Sequence, residues 1–476
     1  MTTSDPDATR ASGQPPLDGR SPASFRDPSG FVFWKDGRVY REVARGYERH
    51  YRTLIGSGLH RALVDEGLIV AHEELDADAQ RARDVLCVIA PEPMPFVSYP
   101  YEWCFSELRD AALATLDIQE RALAHGMTLK DASAYNIQLR RARPVLIDTL
   151  SFEIYEEGTI WRPYRQFCEH FLAPLALMSL ADARLGQLLR IHVDGIPLDL
   201  ASALLPLRSW LGYSLLAHVH LHARAQRSLG ARAPAPDGRR GISRRQLEGL
   251  MASLRRAVER LGWEPPATVW RDYEPTHSYG EAGAAHKAEL VDAFLDLARP
   301  VAVWDLGANT GAYSRLASRR GIFTVAWDAD PAAVERCYRR VRTEGDEHLL
   351  PLVTDLANPS PALGWANRER DAFSARANAD AVMALALVHH LAIAGNVPFA
   401  DIAAFFAELG EWLIVEMIPP GDPMATRLLD GRGAVHPYTV EAFEAGFATA
   451  YTVVRRELIR STERTLYLMR RKPART

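Results

Sequence analysis

Hydrophobic and polar positions along the 476-residue chain follow two different patterns, and the change between them divides the chain. From Val301 onward, short β-branched runs alternate with stretches of helical period, which predicts a parallel sheet covered by helices. The candidate strands are VAVWDLG, FTVAWD, LLPLVTD, DAVMALAL and WLIVEM. The final runs, YTVVRRELI and RTLYLMRR, lie a few polar residues apart and predict an antiparallel hairpin. We therefore predict an α/β domain with a mostly parallel, seven-stranded sheet.

The N-terminal half has a mixed pattern that is typical of an α+β, helix-rich domain. Residues 1–25 are rich in Ser, Pro, Asp and Gly, so we expect a disordered leader. Asp36-Gly37 stands between two alternating runs and predicts a tight hairpin. A helical period runs from Glu107 to His125, and residues 160–226 are largely helical. Pro and Gly favour a linker at 227–241, which predicts domains over 26–226 and 301–476 with a helical lead-in over 242–300.

Composition narrows the classes of function. The chain has 56 basic and 60 acidic residues, so it lacks the basic excess of a nucleic-acid-binding protein. Its four cysteines form no CxxC pair, which disfavours a metal site and a disulfide scaffold and fits a reducing compartment. No signal-peptide pattern and no apolar run of about 18 residues is present. We therefore predict a cytoplasmic protein without a nucleic-acid or membrane partner, and leave the oligomeric state open.

The strongest candidate site is the segment VAVWDLGANTG, in which a strand enters a glycine loop that precedes a helix. Glycines at 307 and 311 let a ligand approach the backbone, and Asn309 is a residue type that tolerates a left-handed turn. Asp328 ends the second strand, where a carboxylate can accept hydrogen bonds from ribose hydroxyls. Asp355 follows the third strand and is placed to face an adenine edge. The GxxxG spacing differs from the GxGxxG of dinucleotide-binding proteins.

With Asp305 ahead of it, this loop resembles the first motif of the class I S-adenosylmethionine-dependent methyltransferases, with Asn309 in place of the family's middle glycine. The resemblance covers about residues 270–470, including the run 380–391. It implies a Rossmann-like fold and S-adenosylmethionine as cofactor. By this resemblance, Asp328 binds the ribose, Asp355 the adenine amine, and the loop 305–311 the amino acid end. The run 385–406 is similar to a group of uncharacterised bacterial methyltransferases, some of them described as nodulation-related.

His389 and His390 follow the fourth strand, where the family's fold brings the methyl donor near the acceptor. A neutral imidazole there would act as a general base, and Glu416 at the end of the fifth strand would orient the substrate. The alternative for all three is that they only pack and form hydrogen bonds at the strand ends. Residues before the first strand are candidates for a lid or for packing, namely Tyr273, His277 and Tyr279.

The acceptor is constrained by the motifs that the sequence lacks. No Asp/Asn-Pro-Pro-Tyr follows the fourth strand, and no Pro-Cys provides a nucleophile for cytosine methylation. The nucleic acid bases are therefore disfavoured as acceptors. We expect a small molecule or a carbohydrate-type metabolite.

A second candidate site lies between residues 125 and 150. The spacing of Asp131, Asn136 and Asp148 resembles the catalytic loop of protein-kinase-like phosphotransferases. This resemblance implies that Asp131 is a base and that the other two residues bind magnesium. The sequence departs from the kinase pattern by having Leu129 in place of His, Thr-Leu after Asp148, and no glycine-rich loop. The only lysine before residue 130 is Lys35, which lies at a hairpin tip, so an arginine such as Arg41 or Arg45 would have to take the place of the kinase lysine. Three functions stay open: methyltransferase, phosphotransferase through the N-terminal half, and a non-catalytic S-adenosylmethionine-binding protein.

Overall fold

In the computed structural model, the described residues are 19–76, 84–224, 241–266, 275–432 and 435–473. They form two compact units. Of the described residues, the N-terminal unit comprises those from 19 to 264 together with 362–370, and the C-terminal unit comprises those from 265 to 361 and from 371 onward. Within the described part of the chain, no helix is both long and apolar enough to cross a bilayer.

The N-terminal unit contains nine strands in three antiparallel sheets. The largest has the order β1-β2-β3-β5-β4, and two small sheets pair β6 with β9 and β7 with β8. The strands are β1 (Gly19–Arg20), β2 (Val32–Lys35), β3 (Arg38–Ala44), β4 (His72–Asp76), β5 (Val85–Pro91), β6 (Met127–Leu129), β7 (Ile137–Arg140), β8 (Arg143–Leu146) and β9 (Phe152–Ile154). The helices are α1 (Glu48–Gly56), α2 (Leu59–Asp65), α3 (Phe105–Ala124), α4 (Tyr164–Phe167), α5 (Ala173–Leu180), α6 (Leu188–Ile191), α7 (Leu198–Leu204), α8 (Tyr213–Leu215) and α9 (Arg244–Arg260).

Local signals in this unit are partly confirmed. Asp36 and Gly37 have φ angles of 51° and 71° and form the predicted turn between β2 and β3. The predicted long helix is α3. The expected disorder of residues 1–25 is wrong for 19–25, because Gly19 and Arg20 form the edge strand β1 beside β2 and a 3-10 helix follows at Pro22–Ser24. Residues 1–18 lie outside the described residues.

The division between the units differs from the predicted one. Of the expected linker 227–241, residues 227–240 lie outside the described residues. Helix α9, which we assigned to a separate lead-in, belongs to the N-terminal unit. Its apolar face is buried, and Arg255 donates a hydrogen bond to Asp117 of α3 at 2.6 Å. The division therefore falls at residues 264 and 265.

The segment 362–370 also belongs to the N-terminal unit, although it comes from the later part of the sequence. Arg26 donates two hydrogen bonds to Glu369, at 3.2 Å from Nε and 2.8 Å from Nη2. The Arg370 guanidinium lies 4.1 Å from the centre of the Tyr135 ring. These contacts fix the segment within that unit.

The C-terminal unit is built on one seven-stranded mixed sheet in the order β12-β11-β10-β13-β14-β16-β15. Its strands are β10 (Ala302–Leu306), β11 (Phe323–Asp328), β12 (Leu349–Val353), β13 (Ala381–Ala384), β14 (Trp412–Met417), β15 (Tyr451–Leu458) and β16 (Thr465–Arg471). Its helices are α10 (Pro275–Ala298), α11 (Ser314–Ser318), α12 (Pro331–Glu344), α13 (Phe399–Leu409), α14 (Pro423–Arg432) and α15 (Val440–Phe447). Strands β10 to β14 are parallel, and β16 is antiparallel to both of its neighbours. The predicted α/β sheet with a terminal hairpin is confirmed.

Because β10 to β14 are parallel, their carboxyl ends meet at one edge of the sheet, which is where α/β proteins bind ligands. Below that edge, the core contains a cluster of three aromatic rings. Trp304, Trp327 and Phe373 are fully buried, with ring centres 5.0 to 5.3 Å apart. This packing supports the strand ends that carry the candidate site.

Candidate functional site

The glycine loop between β10 and α11 has the backbone conformation that its sequence predicted. Gly307, Asn309 and Gly311 all have positive φ angles, of 72°, 52° and 75°. A Cβ atom on Gly311 would lie 2.6 Å from Sγ of Cys337, so this position excludes a side chain for steric reasons as well. The loop therefore presents its backbone at the sheet edge.

Asp328 lies against this loop. Its Oδ2 accepts a hydrogen bond from the backbone N–H of Asn309 at 2.7 Å, and its Oδ1 accepts one from the backbone N–H of Asp330 at 2.8 Å. Burial raises the pKa of Asp328 to about 6. Two candidates that are 19 residues apart in the sequence thus form one site, in which a carboxylate touches the glycine loop.

Asp305 has a different environment from Asp328. It is 2% exposed, and it accepts a hydrogen bond from Oγ of Ser314 at 2.6 Å. Burial raises the pKa of Asp305 to about 6, against the opposing effect of that hydrogen bond. Its carboxylate therefore ties the end of β10 to the start of α11, and it shapes the loop from inside.

Asp355 follows β12 at the same edge of the sheet and is exposed to solvent. Its Oδ1 accepts a hydrogen bond from the backbone N–H of Ala357 at 2.9 Å. This short contact closes a turn and holds the carboxylate in place beside the end of the strand.

His389 and His390 lie in the helical turn after β13, with ring centres 4.1 Å apart. His389 is 1% exposed, and neither of its ring nitrogens has a hydrogen-bond partner. His390 is only partly buried. Burial holds the pKa of His389 well below its ordinary value and also lowers the pKa of His390. Both rings are therefore neutral at pH 7, and His390 is the one with accessible surface.

Glu416 at the end of β14 is buried in a network of donors. It accepts hydrogen bonds from Lys287 Nζ at 2.7 Å, from the Tyr279 hydroxyl at 2.8 Å, and from the backbone N–H of Ala386 at 2.9 Å. Ala386 has a φ angle of 51°, a conformation that residues with a Cβ rarely adopt. Glu416 thus stabilises the strained turn that leads from β13 to the histidine pair.

Around Glu416 is a larger set of buried charges, which we call the buried ionic cluster; its members are Tyr279, Lys287, Glu416, Asp422 and Arg464. Arg464 donates two hydrogen bonds to Asp422, at 2.7 and 3.1 Å. The Lys287 ammonium lies 4.5 Å from the centre of the Tyr279 ring and 4.4 Å from that of Tyr313. Two cations and two carboxylates balance each other in the cluster.

The sequence analysis missed Lys287 and Arg464, and for Tyr279 it left both a lid and simple packing open. A signal for Lys287 was present, because lysine occurs at only four positions of this arginine-rich chain. The structure places Tyr279 in the buried ionic cluster, where it is 7% exposed, so its role is packing and hydrogen bonding. Tyr273 and the side chain of His277 lie outside the described residues.

The second group of candidates lies in the N-terminal unit. Ser151 connects two of them, because Asn136 donates a hydrogen bond to its hydroxyl at 3.3 Å and that hydroxyl donates to Asp148 at 2.8 Å. Asp131 accepts a hydrogen bond from the backbone N–H of Ser133, two residues on. Arg41 forms ion pairs with both Asp148 and Asp27.

Arg41 therefore neutralises Asp148, one of the two residues that the resemblance assigns to magnesium. Lys130 lies 3.4 Å from the Asp27 carboxylate, which Arg41 also contacts. Across the residues that the structure describes, no group of three or more His, Cys, Asp or Glu side chains is arranged to hold a metal ion. The kinase-like catalytic residues remain a prediction.

No family model matches the chain. The N-methyltransferase NodS from Bradyrhizobium japonicum WM9, in complex with S-adenosyl-L-homocysteine, is 14% identical; the match covers 44% of this chain and 94% of that one, with a TM-score of 0.32. The magnesium protoporphyrin IX methyltransferase ChlM from Synechocystis PCC 6803, with bound SAH, is 15% identical, covering 40% of this chain and 87% of that one, with a TM-score of 0.30.

One relative is similar over nearly its whole length. The nodulation protein NoeA from Rhizobium meliloti (strain 1021) is 34% identical over 464 residues, which is 96% of this chain and 97% of the relative. The match therefore includes most of both units. At this identity and coverage, the chain belongs to the family of the nodulation protein NoeA.

Proposed function

We propose that the C-terminal unit binds S-adenosylmethionine and transfers its methyl group to a small-molecule acceptor. The observation that carries the proposal is the contact between Asp328 and the backbone of Asn309 at the carboxyl edge of the sheet. A glycine loop and an acidic residue at the end of the next strand are the parts that a bound nucleoside requires. The strand order of the sheet and its terminal hairpin agree with the family that the sequence resembles.

The loop fits such a cofactor by its shape. Positive φ angles at Gly307, Asn309 and Gly311 turn the loop sharply, and the two glycines place no side chain at the end of β10. In the proposal, Asp328 accepts hydrogen bonds from the ribose hydroxyls, and Asp355 accepts one from the adenine amine. The backbone of residues 307–311 receives the amino acid end, while Asp305 supports the loop from the core.

S-adenosylmethionine, when bound, supplies an electrophilic methyl group on a sulfonium. The chain's own contribution is to orient the acceptor, to exclude water, and to receive a proton. We assign the proton to a ring nitrogen of His390, which is neutral and partly exposed. His389 packs beneath it, and Glu416 acts as a positioning residue through Ala386. The expected acceptor is a small molecule or a carbohydrate-type metabolite.

Isothermal titration calorimetry with S-adenosylhomocysteine tests the cofactor assignment. The Asp328→Asn variant keeps the shape of the side chain and loses its charge, so we expect its affinity to fall by at least about tenfold, as for other hydrogen bonds to charged groups. Asp401→Asn, a change at an exposed position in the first turn of α13, is the matched control. Equal affinities for the wild type and Asp328→Asn would remove Asp328 from the site.

A separate titration with ATP and magnesium tests the N-terminal unit. We infer a kinase-like fold for this unit, which is supported by the order of its elements: a five-stranded antiparallel sheet, the long helix α3, and then the segment with Asp131, Asn136 and Asp148. Because Arg41 already neutralises Asp148, we expect no magnesium-dependent ATP binding. Heat from ATP alone, without any from S-adenosylhomocysteine, would favour the phosphotransferase alternative. Cofactor binding without methylation of any acceptor would favour a non-catalytic binding protein.

A further inference from the structure

One segment of the N-terminal unit exposes large apolar side chains in a way that the proposed function does not explain. This segment, which we call the apolar loop, covers residues 204–213 between the end of α7 and the start of α8. Leu207 and Leu211 are 86% and 89% exposed, and Tyr213 is 76% exposed. Single exposed apolar residues are common on protein surfaces, but three within seven residues at nearly full exposure mark an interaction site.

Hydrogen bonds and ring stacking around a buried histidine hold the apolar loop in place. Ser209 is 3% exposed, and its hydroxyl lies 2.9 Å from Nε2 of His220. The His220 ring stacks on Trp210 with ring centres 4.1 Å apart, and its Nδ1 lies 2.8 Å from the hydroxyl of Ser202. These contacts fix the backbone between Leu207 and Leu211, so the exposure of the two leucines is a feature of the fold.

The formally charged side chains of residues 200–224 are both arginines, Arg208 and Arg224. Residues 200–236 contain no aspartate or glutamate and four arginines, and all but the last twelve of these residues are described. Arg208 lies inside the loop, next to Leu207, and is exposed. The Arg224 guanidinium lies 4.8 Å from the centre of the Trp210 ring. The surface thus combines apolar tips with positive charge beside them.

We propose that the apolar loop docks this protein on an anionic lipid surface, with Leu207 and Leu211 inserted between the headgroups. Insertion removes the leucines from water, while the arginines meet lipid phosphates. Tyr213 and Trp210 are residue types that favour the boundary between headgroups and hydrocarbon. A spanning segment is not needed for such a contact. We expected no membrane partner because the sequence lacks a spanning segment, and that absence does not exclude a surface contact.

A second copy of the chain fits the loop less well. In a two-fold symmetric contact the same surface meets itself, so the arginines of one copy would face those of the other with no carboxylate from residues 200–236 between them. A bilayer with anionic headgroups complements both the charge and the apolar tips. It also requires no matching groove.

Vesicle co-sedimentation of the full chain tests the proposal. We expect the protein to bind vesicles of phosphatidylcholine and phosphatidylglycerol, to bind phosphatidylcholine alone far less, and to be released by salt. The double variant Leu207→Ser/Leu211→Ser should reduce the partition coefficient by at least about tenfold, because two apolar side chains are lost from the bilayer. The matched control is Leu297→Ser/Leu458→Ser, which changes two leucines of the C-terminal unit that are 49% and 59% exposed.

Three results would overturn the proposal. They are the absence of binding to anionic vesicles by the wild type, equal binding by the wild type and the Leu207→Ser/Leu211→Ser variant, and concentration-dependent self-association that this variant abolishes. The last result, from sedimentation velocity, would assign the apolar loop to a second copy. Because all four substituted leucines are exposed, the variants should keep the circular dichroism and the melting curve of the wild type. The test is independent of methyl transfer.

Discussion

Replacing Lys287 by methionine tests the importance of the buried ionic cluster. The ammonium is 2.7 Å from Glu416 and 2.9 Å from the Tyr279 hydroxyl, and the lysine side chain is almost fully buried. Methionine keeps most of the aliphatic volume, so the substitution removes the charge with little change in packing. The Glu416 carboxylate then remains buried without its nearest cation, while Arg464 stays at 3.9 Å.

Removing one partner of a buried ion pair costs about 3–5 kcal/mol of unfolding free energy. Because Arg464 still compensates part of the charge on Glu416, we expect the lower end, about 3 kcal/mol, for Lys287→Met. The double variant Lys287→Met/Glu416→Gln no longer buries an uncompensated carboxylate. Its cost should therefore be smaller than the sum of the two single variants by about 1–3 kcal/mol.

Urea unfolding followed by tryptophan fluorescence measures these differences, and hydrogen exchange of peptides from β14 assigns them to the C-terminal unit. Lys472→Met is the control, because Lys472 is exposed and a surface change of this kind alters stability by about 0.5 kcal/mol or less. A cost below about 1 kcal/mol for Lys287→Met, or additive costs in the double variant, would refute the reasoning that the pair is a coupled, buried interaction.

Three further predictions concern the site. Gly311→Ala should destabilise the fold by more than Gly321→Ala, since both positions have positive φ but only the first meets Cys337 Sγ at 2.6 Å; equal melting temperatures would contradict this. Affinity for S-adenosylhomocysteine should fall as the pH drops through about 6, where Asp328 takes up a proton and loses acceptor capacity; calorimetry at several pH values would detect this, and an unchanged pH dependence in Asp328→Asn would assign it elsewhere. His390→Ala should lose turnover and keep cofactor affinity, and full turnover would leave that histidine with a packing role only.

The raised pKa values of Asp305 and Asp328 also determine whether the fold becomes more or less stable as the pH rises. Each carboxyl has an ordinary pKa of 3.8 and a folded pKa of about 6, so between these values the folded chain holds more protons than the unfolded chain. Stability from these two groups is therefore greatest at low pH and declines as the pH rises from about 4 to about 6. Asp305→Asn should flatten this part of the stability profile, as urea titrations at pH 4 and pH 7 would show.

Local sequence patterns predicted the fold of the C-terminal unit, but they did not identify which residues pair when they lie far apart in the sequence. The alternation of strands and helices, the GxxxG loop and the terminal hairpin are all local signals, and the sheet agrees with them. The pairing of Lys287 with Glu416 joins residues 129 positions apart, and neither the rarity of lysine nor the position of Glu416 at a strand end identifies the partner. Likewise, the composition of residues 19–25 predicts disorder, because it cannot report that β2 offers an edge for pairing.

Helix α9 is a second case in which the sequence predicted an element but not the surface against which it packs. Its helical period was visible in the sequence, but its partner was not, since a Pro- and Gly-rich stretch separates it from the rest of its unit. Arg255 and Asp117 meet only in the folded chain. Sequence periodicity thus predicts that a helix forms and which face is apolar, while the surface it covers depends on contacts from elsewhere.

The placement of residues 362–370 affects how the protein can be divided. Because this segment completes the N-terminal unit from within the later half of the chain, that unit is discontinuous in the gene. A fragment ending at residue 264 would lack Glu369, and Arg26 would lose the acceptor of its two hydrogen bonds. Conversely, a protease cut near residue 264 would leave two pieces that remain associated, since one of them still carries part of the other's fold. Gene fusion or shuffling at a single junction therefore cannot separate the two units cleanly.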